Sequence, residues 1–82
     1  MARTTEEKAQ DYTAMGHSVD LINGIIAGSA MTEAYVTATD RQSGVDRNVE
    51  HLEYMKAKTD WGSEDMTAVR KAITDGKAYK AS

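Results

Sequence analysis

The sequence contains no cysteine. That absence excludes disulfide staples, thiolate metal sites and cysteine nucleophiles together, and leaves the redox compartment open. Aromatic residues are few, one Trp and four Tyr with no Phe, so core volume has to come from Ile, Val, Leu, Met and Ala. No segment is basic. Thr4–Gly28 carries four acids and one base, Met31–Lys58 five and four, and Thr59–Ser82 four and four. Binding a nucleic-acid duplex needs clustered Lys and Arg that displace phosphate counterions, and here they are interspersed with acids, so nucleic acid is not expected as a partner.

Long apolar runs are also missing. The most apolar stretch, Leu21–Met31, is about half the length that crosses a bilayer and is interrupted by Asn23, so no membrane contact is expected. The opening residues Ala2 to Lys8 are polar and partly acidic, unlike a secretory leader, and the expected location is the cytoplasm. There is no phosphate-cradling Gly-rich loop and no nucleophile elbow; the serines at 18, 29, 43, 63 and 82 fall mostly at caps and turns. No cofactor, no metal and no catalytic residue is assigned.

What the sequence does have is helical spacing. Met31, Tyr35, Ala38, Gln42, Val45, Val49 and Leu52 follow one another in alternating steps of four and three, the spacing of a seam facing another helix. Tyr12, Met15, Val19, Ile22 and Ile26 form a second such stripe, widened by Leu21 and Ile25. Two stripes at this spacing predict an antiparallel helical hairpin within a single domain, residues 1–82.

The helix ends are also marked. Thr4 followed by Glu7 is a capping-box pair and predicts a helix over about 4–28, with Gly28 ending it; the Gly24–Gly28 spacing alternatively suits close helix approach. The second helix is expected over about 31–58, with Ser29 or Thr32 as its cap and Met31 and Val36 as its hydrophobic staple. Within it, Ala34 to Thr39 is rich in β-branched residues and Ser43-Gly44 resembles a loop, so a break there is the alternative. Ser63-Glu64-Asp65, or Gly62 with Trp61 and Met66 as a staple, opens a third helix over about 63–75. Gly76 is expected to stop it, leaving 77–82 to fray or to lie on a neighbour.

Two histidines are present. His17 precedes Asp20 by three residues, and His51 stands between Glu50 and Glu53, but a hairpin turning near Ser29 would set His17 opposite Gln42 and keep the two apart. A di-metal carboxylate bundle requires a Glu three residues before each His, and those positions hold Ala14 and Asn48. Asp46, Glu50 and Glu53 read as an exposed acidic face. Trp61 reads either as a lid over Tyr54, Met55 and Met66 or as a partner anchor.

Three segments, Arg47 to Met55, Trp61 to Val69 and Ala72 to Tyr79, together resemble small proteins encoded by marine tailed phages and found in ocean metagenomes. The acidic helix start, the Ala72-Ile73 pair and Gly76 are also similar to small phage head–tail joining proteins. The resemblance implies a phage-type origin.

A chain of 82 residues buries roughly 60–65% of its unfolded surface, and short chains without staples commonly gain stability from a partner. The third helix is expected to be too short to cover both stripes. Tyr35 and Val36, against Leu21 and Ile25, are thus expected to stay open and drive self-association, most simply a dimer; Trp61, Glu50 and Glu53 complete the expected contact set. The expected function is that of a non-enzymatic accessory or structural protein acting through helix faces on itself or on a virion or host protein. The alternative is an acidic inhibitor occupying a basic surface of a host nucleic-acid enzyme.

Overall fold

The computed structural model describes residues 4–28, 35–58, 61 and 64–81. The fold is all-α: α1 covers Thr5–Ala27, α2 covers Ala38–Lys56 and α3 covers Thr67–Ala78, with no strand among the described residues.

The start of α1 is where its capping box predicts. Thr4 Oγ1 accepts from the Glu7 N–H at 3.1 Å, and Glu7 Oε1 accepts from the Thr4 N–H at 3.2 Å, satisfying two amides that a helix start leaves bare. At the other end Gly28 adopts a left-handed φ of 79° and donates its N–H to the carbonyls of Gly24 and Ile25. Only a residue without a β-carbon takes that conformation freely, so Gly28 ends the helix.

The helix α2 begins seven residues later than the seam suggests. Thr37 is extended and its hydroxyl accepts from the Asp40 N–H at 3.0 Å, while the Arg41 guanidinium donates to the carbonyls of Tyr35 and Val36 at 3.2 and 2.5 Å. The extended Thr37, whose hydroxyl takes a bare amide of the first turn, is thus the cap from which α2 starts. The alternative break at Ser43-Gly44 does not occur, because α2 runs through both. A β-carbon on Gly44 would lie 2.6 Å from Cε1 of Tyr35 and 3.1 Å from Cδ1 of Ile25, so this glycine admits neighbours and does not break the helix. Ser29, Met31 and Thr32, with the cap and staple expected of them, lie outside the described residues.

Packing of Gly44 near Ile25 and of Ser18 against His51 makes α1 and α2 antiparallel. Because the link runs from Gly28 to Thr37, the register slides from the one expected. His51, not Gln42, stands opposite the middle of α1.

The third helix is displaced from 63–75 to Thr67–Ala78. Its first amide, Thr67 N–H, donates to Asp65 Oδ1 at 2.9 Å, so Asp65 acts from just outside the helix; Gly62 and Ser63 lie outside the described residues. Gly76 does not stop α3. It is buried inside it, where a β-carbon would overlap Val49 and lie 3.6 Å from Cγ2 of Ile22.

The third helix is not too short to span the hairpin. Near its start the Tyr12 hydroxyl donates to the Asp65 carbonyl at 2.5 Å, and beyond its end Gln42 Oε1 accepts from the Ala81 N–H at 2.8 Å. It therefore lies along both helices, parallel to α1 and antiparallel to α2. Beyond the helix, Tyr79 and Ala81 lie on α2, held by Gln42.

The result is a three-helix bundle. Met15, Ile22, Val45 and Leu52 are fully buried at its centre, and Val69, Ala72 and Ile73 of α3 close the third side. Each large aliphatic residue fully removed from water contributes about 1.5–3 kcal/mol.

Candidate functional site

The residues expected to form an open contact face have separate fates. Ile25 is 2% exposed and belongs to the core, while Leu21 and Tyr35 are half-buried and packed against it. Val36 remains exposed at 62%. The chain covers most of its own stripe because α3 spans the hairpin. Trp61 is buried, donates its indole N–H to the Met55 carbonyl at 2.8 Å and stands 6.2 Å from the Tyr12 ring, tilted by 57°. It is a lid, but Tyr12 is its aromatic partner; Tyr54 is exposed and carries Lys58 Nζ over its ring at 5.2 Å.

The acidic face on α2 is partly spent internally. Glu53 pairs with Lys77 Nζ at 3.0 Å, and Asp46 accepts from Gln42 Nε2 at 3.0 Å; Glu50 is exposed. A hollow of about 250 Å³ beside this pair is lined by Glu53, Lys56, Ala57, Ile73 and Lys77. Its opposite charges already face each other.

The register brings together two residues that the sequence analysis did not connect. Ser18 Oγ and His51 Nδ1 share a hydrogen bond of 2.9 Å between α1 and α2. A serine nucleophile needs access for substrate and a base aligned by a third group. Ser18 is 6% exposed on the inner face of a helix, so the pair is a polar clip between helices. His17 is exposed one position away. Among the described residues no three His, Asp or Glu side chains gather as a metal set.

A groove of about 180 Å³ lies between α1 and α3, lined by Tyr12, Gly16, Val19, Asp20, Asp65, Ala68 and Val69. Tyr12, Gly16 and Asp20 follow at intervals of four on α1, and Asp65 and Ala68 stand three apart at the start of α3. Val19 and Val69 are buried beneath, and both carboxylates are exposed. The backbone N–H of Thr67, donated to Asp65, holds that carboxyl below the ordinary aspartate range, so it stays charged. No ion pair or side-chain hydrogen bond to Asp20 occurs among the described residues.

Sequence reasoning missed this groove. The signal was the four-residue interval from Tyr12 to Gly16 to Asp20, but its other wall depends on where α3 docks.

No protein-family model, no curated protein and no solved structure matches this sequence. Among the described residues no helix is long and apolar enough to cross a membrane.

Proposed function

We propose that this chain is a non-enzymatic interaction protein working through the outer faces of its bundle, of the accessory or structural kind that its resemblance to small tailed-phage proteins implies. The supporting observation is the pair Ile26 and Val36, 40% and 62% exposed on a chain that otherwise covers its large aliphatic residues. Ile26 lies in the last turn of α1 and Val36 just before α2, so both stand at the end of the bundle where the hairpin reverses. A two-fold pairing through that end would remove both from water, each contributing up to about 1–2 kcal/mol.

Light scattering behind size exclusion, over a concentration series, tests the self-pairing. The expected mass is twice the 9.0 kDa of one chain, falling to the single-chain mass for Val36→Asp. A single-chain mass throughout would remove self-association, and the exposed faces would then serve another protein.

A second reading, an acidic protein that occupies a basic surface of a host nucleic-acid enzyme, is favoured by the exposed carboxylates Asp20 and Asp65 and the net charge of −3. Such binding would weaken steeply with salt, whereas pairing through Ile26 and Val36 would not.

A further inference from the structure

We infer that the groove between α1 and α3 receives an arginine side chain presented by a partner protein. The inference rests on the interaction role but concerns a face distant from the hairpin end.

Gly16 is the first ground. It is an exposed glycine in the interior of α1 with ordinary helical backbone, and a β-carbon there would meet nothing within 4 Å. Neither conformation nor internal packing requires a glycine, although a helix-interior glycine costs about 1 kcal/mol relative to alanine. What the missing side chain does provide is the opening of the groove, matched across it by the single methyl of Ala68.

Charge complementarity is the second. The floor is apolar, Val19 and Val69, while Asp20 and Asp65 flank it and the Tyr12 ring lines it as well. A purely apolar side chain seated here would strip water from carboxylates without replacing it, and an anion would be repelled. A long cationic side chain satisfies both parts: its methylenes lie on the valines and its charge meets the carboxylates. Arginine fits better than lysine, because the planar guanidinium pairs with a carboxylate in bidentate fashion and stacks on an aromatic face. The chain's own Arg70 acts electrostatically on Asp65 but does not line the groove.

The test is an amide NMR titration at low salt of the full chain with the blocked peptide acetyl-Leu-Ala-Arg-Ala-Leu-amide. The control peptide replaces arginine by citrulline, its neutral isostere. Shifts are expected to cluster at Gly16, Asp20, Asp65 and Ala68, with citrulline weakening binding about ten-fold or more and Asp20→Asn weakening it several-fold. Gly16→Leu fills the groove and should abolish binding while the melting temperature holds or rises, separating occlusion from misfolding. Equal binding of both peptides, shifts lying elsewhere, no shifts at all, or undiminished binding by Gly16→Leu would overturn the inference. None of these outcomes bears on self-pairing, which light scattering reads separately.

Discussion

Gly76 of α3 lies directly against Val49 of α2: a β-carbon on Gly76 would overlap Cγ2 of Val49 and sit 3.3 Å from Cγ1 of Val45. The contact sets how closely the third helix seats on the hairpin. Two effects oppose each other in Gly76→Ala, a gain of about 1 kcal/mol in helix propensity and an overpacking penalty of about 1–3 kcal/mol. Because Val49 is β-branched and buried, it has little room to yield, and overpacking should win. We expect a net loss of about 1 kcal/mol, a fall of roughly 4–8 °C in Tm. In a Val49→Ala background the same change should become neutral or stabilising, a coupling that a double-mutant cycle by thermal melting measures. An increase in Tm for the single variant would mean that α3 does not seat this closely.

Gln42 holds the C-terminal segment with both ends of its amide. Nε2 donates to the Tyr79 carbonyl at 3.2 Å and Oε1 accepts from the Ala81 N–H at 2.8 Å. Gln42→Ala should therefore speed hydrogen exchange at Ala81 by an order of magnitude or so, while global stability falls by only about 1 kcal/mol. Unchanged exchange at Ala81 would show that some other contact seats the segment.

Trp61 is the single tryptophan and is buried, so its fluorescence should shift to the red as the core opens. Trp61→Phe keeps most of the ring contact but loses the hydrogen bond to Met55, and we expect it to cost about 1 kcal/mol, since that carbonyl also accepts from the Lys58 N–H. Trp61→Ala should cost about 3–5 kcal/mol by leaving a cavity. Denaturant titration followed by circular dichroism compares the two, and equal losses would argue against a packing role for the ring.

Asp65 links stability to acid. Its carboxyl is held below the ordinary aspartate range by the Thr67 N–H, a depressed folded-state pKa. Such a group stabilises the fold fully above its unfolded pKa, about 3.9, and the contribution disappears as the pH falls through the lower folded value. Stability should therefore decline below about pH 4, and Asp65→Asn should flatten part of that decline. Melting curves from pH 7 to pH 2 would check it; parallel profiles for the two proteins would remove Asp65 from the acid response.

The legible parts of the fold were those decided within a few residues. Thr4 and Glu7 could be read as a cap because their partners are each other's backbone amides, and Gly28 could be read as a stop because an exposed glycine follows a complete apolar stripe. The seam positions Val45, Val49 and Leu52 were found for a similar reason. Helical spacing alone puts them on one face, and all three are buried.

The errors have two sources, one local and one distant. Tyr35 keeps the phase of the seam but lies outside α2, because Arg41 and Thr37 take over the local backbone groups. Gly76 has the residue type of a helix stop and is instead a close-packing position. Nothing near it in sequence shows that Val49, twenty-seven residues earlier, lies against it.

Composition and spacing by themselves determined that this chain is all-α, where its first helix begins and ends, and that Val19, Ile22, Val45, Val49 and Leu52 fill the core. Those properties follow from backbone hydrogen bonding and apolar periodicity, which act over one or two turns. Only the tertiary structure decided that α3 lies along the whole hairpin, that Ser18 meets His51, and that Tyr12, Gly16 and Asp20 face Asp65 and Ala68 across a groove. Such pairings depend on helix register and docking depth, which are set by contacts between residues distant in the chain.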